Sequence, residues 1–311
     1  MQEIDLRGII PAIVTPMTSE GEVDLPALKR YAAWLADQGP VALAVNVDTG
    51  EGPHLTPDEK RQTLETVAEA VAGKCKVVAG VAGPSTAQGI ANGRAAQSAG
   101  ADALLVFPIS AFLGHPLNPE VPYRYHAAIA EAVDLPLILF QLQPALGGVL
   151  YTTEILHKLI TIPSVAAIKE ASFDAMRFLQ VKAALESASR KITFLTGNDN
   201  FIYESFILGA EGALLGFSTL GTREQVNMLA AIQRGDIAEA RELGARLQPL
   251  ADIIFAPPVT DYRARTKEAL KMLGVLENTT VRPPLLSISD SERDTIRVAL
   301  QNAGLLAPVR A

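Results

Sequence analysis

Cysteine is almost absent from this chain. The single residue, Cys75, excludes an internal disulfide and any multi-cysteine metal site. Basic runs are absent as well. The net charge is -7, with lysine and arginine scattered, which argues against nucleic acid and anionic membrane as partners. It does not argue against small anions, because a local site can be electropositive in an acidic protein. No run of 18 apolar residues occurs, and the start, "MQEIDLRGII", lacks the basic-then-apolar pattern of a secretory leader. A soluble, cytoplasmic protein is expected. His54, His115, His126 and His157 show no metal-ligand spacing, and neither a Ser-His-Asp order nor a phosphate-binding glycine fingerprint is found. His126 and His157 fall in helix-forming stretches, whereas His54 and His115 lie in loops after strands, within reach of a site mouth.

What is present is a repeating alternation of strand and helix. The 311 residues are 49% hydrophobic and 20% charged, the balance of a globular protein. Short apolar strands are read at 8–16, 41–47, 76–83, 101–108, 135–142, 165–171, 192–198 and 212–218. A helical pattern follows each one. The best marked of these helices covers 56–73. It has Thr56 at the N-cap, Pro57 at the first helical position and Glu59 completing a capping box. Strands apolar on both faces are parallel strands covered on both sides. Eight such units in about 230 residues match a (β/α)8 TIM barrel. A doubly wound open sheet is the runner-up, but it needs no eighth unit. Three more helical stretches, about 236–254, 263–273 and 289–303, form a C-terminal helical extension. The expected organisation is a barrel over 1–235 with a helical domain, 236–311, packed on it.

A barrel of this kind places its site at the C-terminal ends of the strands. "VAAIKEAS" (165–172) puts a lysine there. Val165, Ala167, Lys169 and Ala171 are expected to share one face. If that face is the barrel interior, desolvation lowers the pKa of the amine. Neutral amine can attack a carbonyl carbon and form a Schiff base. The competing reading is a lysine at a strand end, snorkelling to water or paired with Glu170. In "NVDTGEG" (46–52), Gly50 and Gly52 permit a tight turn whose amides can converge on an anion, and Thr49 adds a hydroxyl. An ordinary βα turn is the alternative. In "GNDN" (197–200), Asn198 or Asn200 is expected to cap the next helix.

Taken together, "DTGE" (48–51), "IKEAS" (168–172), "TGNDN" and "GAEGALLG" resemble the dihydrodipicolinate synthase / N-acetylneuraminate lyase family of class I aldolases. The resemblance runs from "GIIPAIVTPMTSEGEVDLPALKR" to "PPLLSISDSERDTIRVALQNAGLL". It implies a barrel with C-terminal helices, usually a homotetramer, acting on pyruvate or another 2-oxo acid. Members add pyruvate to an aldehyde, cleave such adducts, or dehydrate keto-deoxy sugar acids. Lys169 is implied as the Schiff-base lysine, and no cofactor or metal is expected. Thr49, Gly50, Phe140 and Leu214 are expected to line the substrate pocket.

The chain departs from the family at several places. The family's tyrosine at the end of the fifth strand is Phe140, and its first threonine is Asp48. Its interface tyrosine falls near Ile109 and Ser110, and the arginine that grips the aldehyde's carboxylate falls at Ala145. Phe140 and Asp48 are expected to face each other. A carboxyl in an apolar pocket has its pKa raised and can assume the acid–base role that the tyrosine has lost; the alternative is that Asp48 merely caps the turn or pairs with a nearby cation. A Schiff-base lyase with an altered proton relay is the leading reading. The alternative is a barrel that has lost turnover and binds 2-oxo acids as a sensor or scaffold.

Overall fold

The computed structural model describes residues 4–114 and 116–307; His115, expected near the mouth of the site, lies outside the described residues. Among the described residues eight parallel strands form one sheet. They are β1 (Ile9–Pro11), β2 (Ala42–Val45), β3 (Lys76–Val81), β4 (Ala103–Val106), β5 (Leu137–Leu142), β6 (Val165–Ala171), β7 (Thr193–Thr196) and β8 (Gly212–Leu215). The order β1-β8-β7-β6-β5-β4-β3-β2 leaves β1 and β2 at its two ends. Those ends meet: Val41 N–H donates to the Ile9 carbonyl and Ile13 N–H to the Ala44 carbonyl, each at 3.0 Å. A sheet closed on itself in this way is a barrel, which excludes the open-sheet alternative.

A helix follows each strand: α1 (Leu25–Ala36), α2 (Pro57–Val71), α3 (Thr86–Ser98), α4 (Glu120–Ala132), α5 (Thr153–Ile160), α6 (Ala175–Glu186), α7 (Ile202–Ile207) and α8 (Thr222–Gln233). The capping box expected at Thr56 is formed, with Glu59 accepting from the Thr56 amide at 2.7 Å. After the barrel come α9 (Ile237–Ile254), α10 (Tyr262–Met272) and α11 (Asp290–Asn302). α9 packs on α7 and α8, and α11 packs on α9 and α10. No helix of the described residues is long and apolar enough to cross a membrane.

Strand alternation produces two apolar layers. Ile10, Ala44, Val78, Leu105, Ile138, Leu195 and Leu214 fill the barrel interior. Ile9, Val45, Leu104, Leu139, Ile168 and Phe194 face the helices. In β6, Ala167 and Ala171 belong to the interior and flank Lys169, as the sequence leads one to expect. Val165 does not. Leu137 pairs with Val165, but Ile138 pairs with Ala167, so Ala166 is an extra residue in the ladder. Such a bulge reverses the side-chain alternation, and Val165 joins the outer layer.

One buried ion pair ties the C-terminal helices to the barrel mouth. Lys267 in α10 and Glu51, in the loop after β2, both have fully buried side chains, with Nζ and Oε1 2.5 Å apart. Lys267 also donates to the Thr280 carbonyl at 2.6 Å, and Glu51 Oε2 accepts from the Arg282 amide at 2.8 Å. Arg282 itself pairs with Glu59 and donates to the carbonyls of His54 and Gly21, each at 3.0 Å. Burying two charges is costly unless further hydrogen bonds support them, and here each group has a second partner. Removing one partner strands the other. Glu51→Gln is therefore expected to cost on the order of 3–5 kcal/mol of stability, measured by urea denaturation. Glu51→Gln combined with Lys267→Met should cost less than the sum of the two single changes. Additive losses would show that the pair is not coupled.

Candidate active site

The strand ends open on a cavity of about 40 Å³. One ordered water needs about 10–15 Å³ on this scale, so the space suits a molecule of a few heavy atoms. Among the described residues that line it, Lys169 is the one cation, and Asp48 and Asp199 are the carboxylates. The rest of the wall is largely apolar, with Phe107, Phe140, Phe173 and Phe255 prominent.

Lys169 reaches this cavity because β6 turns it inward and because a glycine, Gly197, stands beside it just past the end of β7. A Cβ on Gly197 would lie 2.6 Å from Lys169 Cε. The amine stands 4.3 Å from the centre of the Phe140 ring. Burial is the largest influence on it and pushes its pKa down to about 8, while Asp199 and Asp48 act in the opposite direction. Desolvation thus outweighs both carboxylates and the ring face, all of which favour the ammonium form. Pairing with Glu170 is excluded. Glu170 faces away, accepting from Gln141 Nε2 at 3.1 Å, Asn198 Nδ2 at 2.7 Å and the Ser172 amide at 3.0 Å.

Asp199 is 4% exposed, and Oδ1 accepts from the Phe217 amide at 2.9 Å. Burial pushes its pKa up to about 7, against the pull of that amide and of Lys169. The cavity therefore holds an amine with a lowered pKa and a carboxyl with a raised one. Such pairs are suited to proton exchange near neutral pH. The expected helix-capping role of Asn198 or Asn200 is corrected. Asn198 Oδ1 accepts from the Phe173 amide at 2.6 Å and Asn200 Nδ2 donates to the Phe173 carbonyl at 3.2 Å, while α7 has no side-chain cap. Both asparagines steady the turn after β6 instead. Phe173 there has φ 61°, and Asn46 and Glu51 have φ 58° and 55° at the turn after β2. Non-glycine residues held in this region cost about 1 kcal/mol or more each and cluster at functional sites.

The surroundings expected for Asp48 are also corrected. Although it lines the same cavity as Phe140, its carboxylate is not isolated among apolar groups. Arg263 Nη2 lies 2.5 Å from Asp48 Oδ2, and Arg263 Nε donates to the Asp48 carbonyl at 2.8 Å. The Tyr262 hydroxyl donates to Asp48 Oδ2 at 3.0 Å and stands 3.5 Å from Thr49 Oγ1. Tyr262 is held by its ring, stacked on Phe255 at 4.8 Å. Tyr262 and Arg263 open α10 and went unnoticed in the sequence. They lie more than 200 residues from Asp48, and "YR" at a helix start reads as a solvated end.

Of the other expected residues, Thr49 and Phe140 line the cavity. Gly50 and Leu214 are not among its lining residues. The Gly50 amide donates to the Val47 carbonyl at 3.1 Å, its carbonyl accepts from Thr15 Oγ1 at 2.7 Å, and a Cβ there would lie 2.9 Å from the Ile13 carbonyl. Gly50 is a packing glycine behind the site. The amides of Glu51 and Gly52 are likewise turned onto the Asp48 and Val47 carbonyls, so the loop offers side chains to the cavity more than a nest of amides. Leu214 sits deeper, in the apolar barrel interior. Ala145 is exposed in the short turn Pro144–Leu146, and Ser110 is exposed in the turn Ser110–Phe112. His54 is not a lining residue either, His126 is buried within α4, and His157 bonds to the end of α6.

This architecture has many relatives. The Dihydrodipicolinate synthetase family profile matches residues 5–303. A 4-hydroxy-tetrahydrodipicolinate synthase from Gluconacetobacter diazotrophicus is 30% identical over 98% of this chain and 100% of that protein. One from Moorella thermoacetica is 33% identical over 96% of this chain and 98% of that protein. Among solved structures, the dihydrodipicolinate synthase of Acinetobacter baumannii complexed with pyruvate superposes with a TM-score of 0.86 at 28% identity, covering 97% of this chain and 100% of the other. That of Thermotoga maritima superposes with a TM-score of 0.87 at 27% identity, covering 97% and 99%. With the family profile spanning nearly its whole length, the chain belongs to the dihydrodipicolinate synthetase family.

Proposed function

We propose that this chain is a Schiff-base lyase acting on pyruvate or a related 2-oxo acid, with a proton relay different from that implied by the family resemblance. The observation that carries the proposal is the Lys169 amine, which lines the cavity at the barrel mouth with its pKa lowered to about 8. Neutral amine attacks the 2-oxo carbon, and loss of water leaves a protonated imine. That imine is an electron sink for making or breaking a bond at the neighbouring carbon. Asp199, with its raised pKa, stands in the cavity to exchange protons while the carbinolamine forms and dehydrates. Thr49 supplies a hydroxyl for the carboxylate of the 2-oxo acid. Asp48 takes and returns the proton that Phe140, which has no hydroxyl, cannot handle, and Arg263 beside it holds its carboxylate in place.

Charge decides which second substrate the cavity suits. The described lining holds two carboxylates and no cation besides Lys169. Arg263 is occupied by Asp48 and by the Thr260 carbonyl at 3.1 Å. An anionic aldehyde thus meets repulsion and no counter-charge. A hydroxyl-rich or neutral partner fits better, by aldol chemistry or by dehydration of a keto-deoxy sugar acid. The exposed Leu113, beside the buried Phe112, supports assembly into a homo-oligomer through the segment 107–116, where an interface would cover it.

Incubation with pyruvate and borohydride is expected to add one reduced pyruvate per chain at Lys169, located by peptide mass spectrometry. Equal labelling of Lys169→Ala would remove the lysine from the mechanism. The labelling rate should climb as pH rises through about 8, because only neutral amine attacks and its fraction grows through the lowered pKa. A rate still climbing steeply above pH 10 would show an unperturbed lysine.

The coupled synthase assay with pyruvate and aspartate semialdehyde should give a kcat/KM below ~10⁴ M⁻¹s⁻¹. Turnover above that level would mean that a cation outside the described lining grips the semialdehyde. Labelling without turnover of any member of a 2-oxo-acid panel would instead favour a sensor or scaffold.

A further inference from the structure

Asp48 is poorly placed to meet substrate directly. Its side chain is 36% exposed and is drawn toward Arg263 at the rim. Bond making next to an imine nevertheless needs a proton moved inside the cavity, where bulk water has little access. The group that spans the two places is Tyr262. Its side chain is buried, it lines the cavity with Lys169, and its hydroxyl lies 3.0 Å from Asp48 Oδ2 and 3.5 Å from Thr49 Oγ1.

Resting on the Schiff-base reading above, we propose that Tyr262 is the inner end of a two-membered proton wire, Tyr262–Asp48, that connects the imine's neighbouring carbon with solvent. With the iminium formed, a C3 proton passes to the Tyr262 oxygen as the Tyr262 proton passes to Asp48 Oδ2. The C–H electron pair becomes the C2=C3 bond, and the C=N π pair returns to nitrogen. Iminium cation and carboxylate thus become a neutral enamine and a carboxylic acid, so no charge is left stranded. The exposed carboxyl then exchanges its proton with water, and the reverse flow reprotonates C3.

Three features of the site fit this role. Burial and the Asp48 charge push the pKa of Tyr262 well above its usual value. The phenol therefore stays protonated at neutral pH and conducts by passing a proton through rather than by storing one. Arg263 grips Asp48 by both its carboxylate and its carbonyl, which fixes the acceptor. It also lies against the Tyr262 ring at 4.7 Å. Stacking on Phe255 orients the phenol without using its hydroxyl, so Tyr262→Phe removes the wire and keeps the packing.

The test separates imine formation from proton transfer. Borohydride trapping with pyruvate reports the imine, and loss of the pyruvate methyl signal by NMR in D₂O reports enamine formation. Tyr262→Phe is expected to retain the label at Lys169 while methyl exchange slows by ~10²–10⁴-fold. Asp48→Asn should slow exchange in the same way, and the double variant should fall no further than the slower single one, because one wire is cut twice. Exchange in Tyr262→Phe within about threefold of the unaltered protein, far short of the loss of a general base, would overturn the inference. So would parallel loss of label and exchange, which would mark Tyr262 as purely structural. A parent protein that takes no label would fail the Schiff-base reading itself, and the wire would fall with it.

Discussion

The ion pair between Glu51 and Lys267 is the constraint on which the arrangement of the site rests. It is fully buried, so its two charges must find each other or leave a large penalty unmet. The pairing fixes the loop after β2 against α10. Everything functional on either side inherits that position. On the loop, Asp48 and Thr49 lie just before Glu51. On α10, Tyr262 and Arg263 lie little more than one turn before Lys267. Arg282, bound to Glu51 through its amide and to Glu59 through its guanidinium, carries the same fastening to the start of α2. The C-terminal helices thus form part of the wall of the cavity rather than an accessory to a finished barrel.

Within that frame the site is a balance of opposed electrostatic influences. Burial favours the uncharged forms of both Lys169 and Asp199, whereas their mutual attraction favours the charged forms. Desolvation is the larger effect on both groups, so each titrates nearer neutrality than it would in water. The surroundings of Asp48 are different: it is partly exposed and has a guanidinium beside it. Two carboxylates in one cavity therefore have different environments, and different roles follow.

The sequence carried the barrel clearly, because eight strand–helix units and their caps are local patterns. Thr56 and Glu59 declare a helix start within four residues. Lys169 was legible for a related reason: a charge inside an apolar strand is a local contradiction. What escaped was non-local. Lys267 sits in "YRARTKEALKM", whose polarity suggests a solvated helix, yet nearly every turn of it is buried by barrel loops and α11. Tyr262 meets Asp48 only because the chain returns to the barrel mouth after more than 200 residues. The bulge at Ala166 also left no signature, since alanine fits either face. The asparagines of "GNDN" suggest a cap for the helix after them, because capping is a favoured local use of Asn, whereas here they brace the preceding loop.

The adjacency of Lys169 and Glu170 has a consequence for how the chain finds its register. Neighbouring residues on a strand point to opposite faces, so a slip of one residue would exchange their places. The carboxylate would enter the barrel, away from Gln141, Asn198 and the Ser172 amide that satisfy it. The amine would be thrust among Leu139 and Phe194 in the helix-facing layer. Each error alone leaves a buried charge without its partners, and a slip commits both at once. The surrounding alanines, Val165 and Ile168 are nearly indifferent to which way they face and cannot correct such a mistake. In β6 the two charged residues do so, which makes Lys169 and its neighbour a proofreading device for the assembly of the sheet.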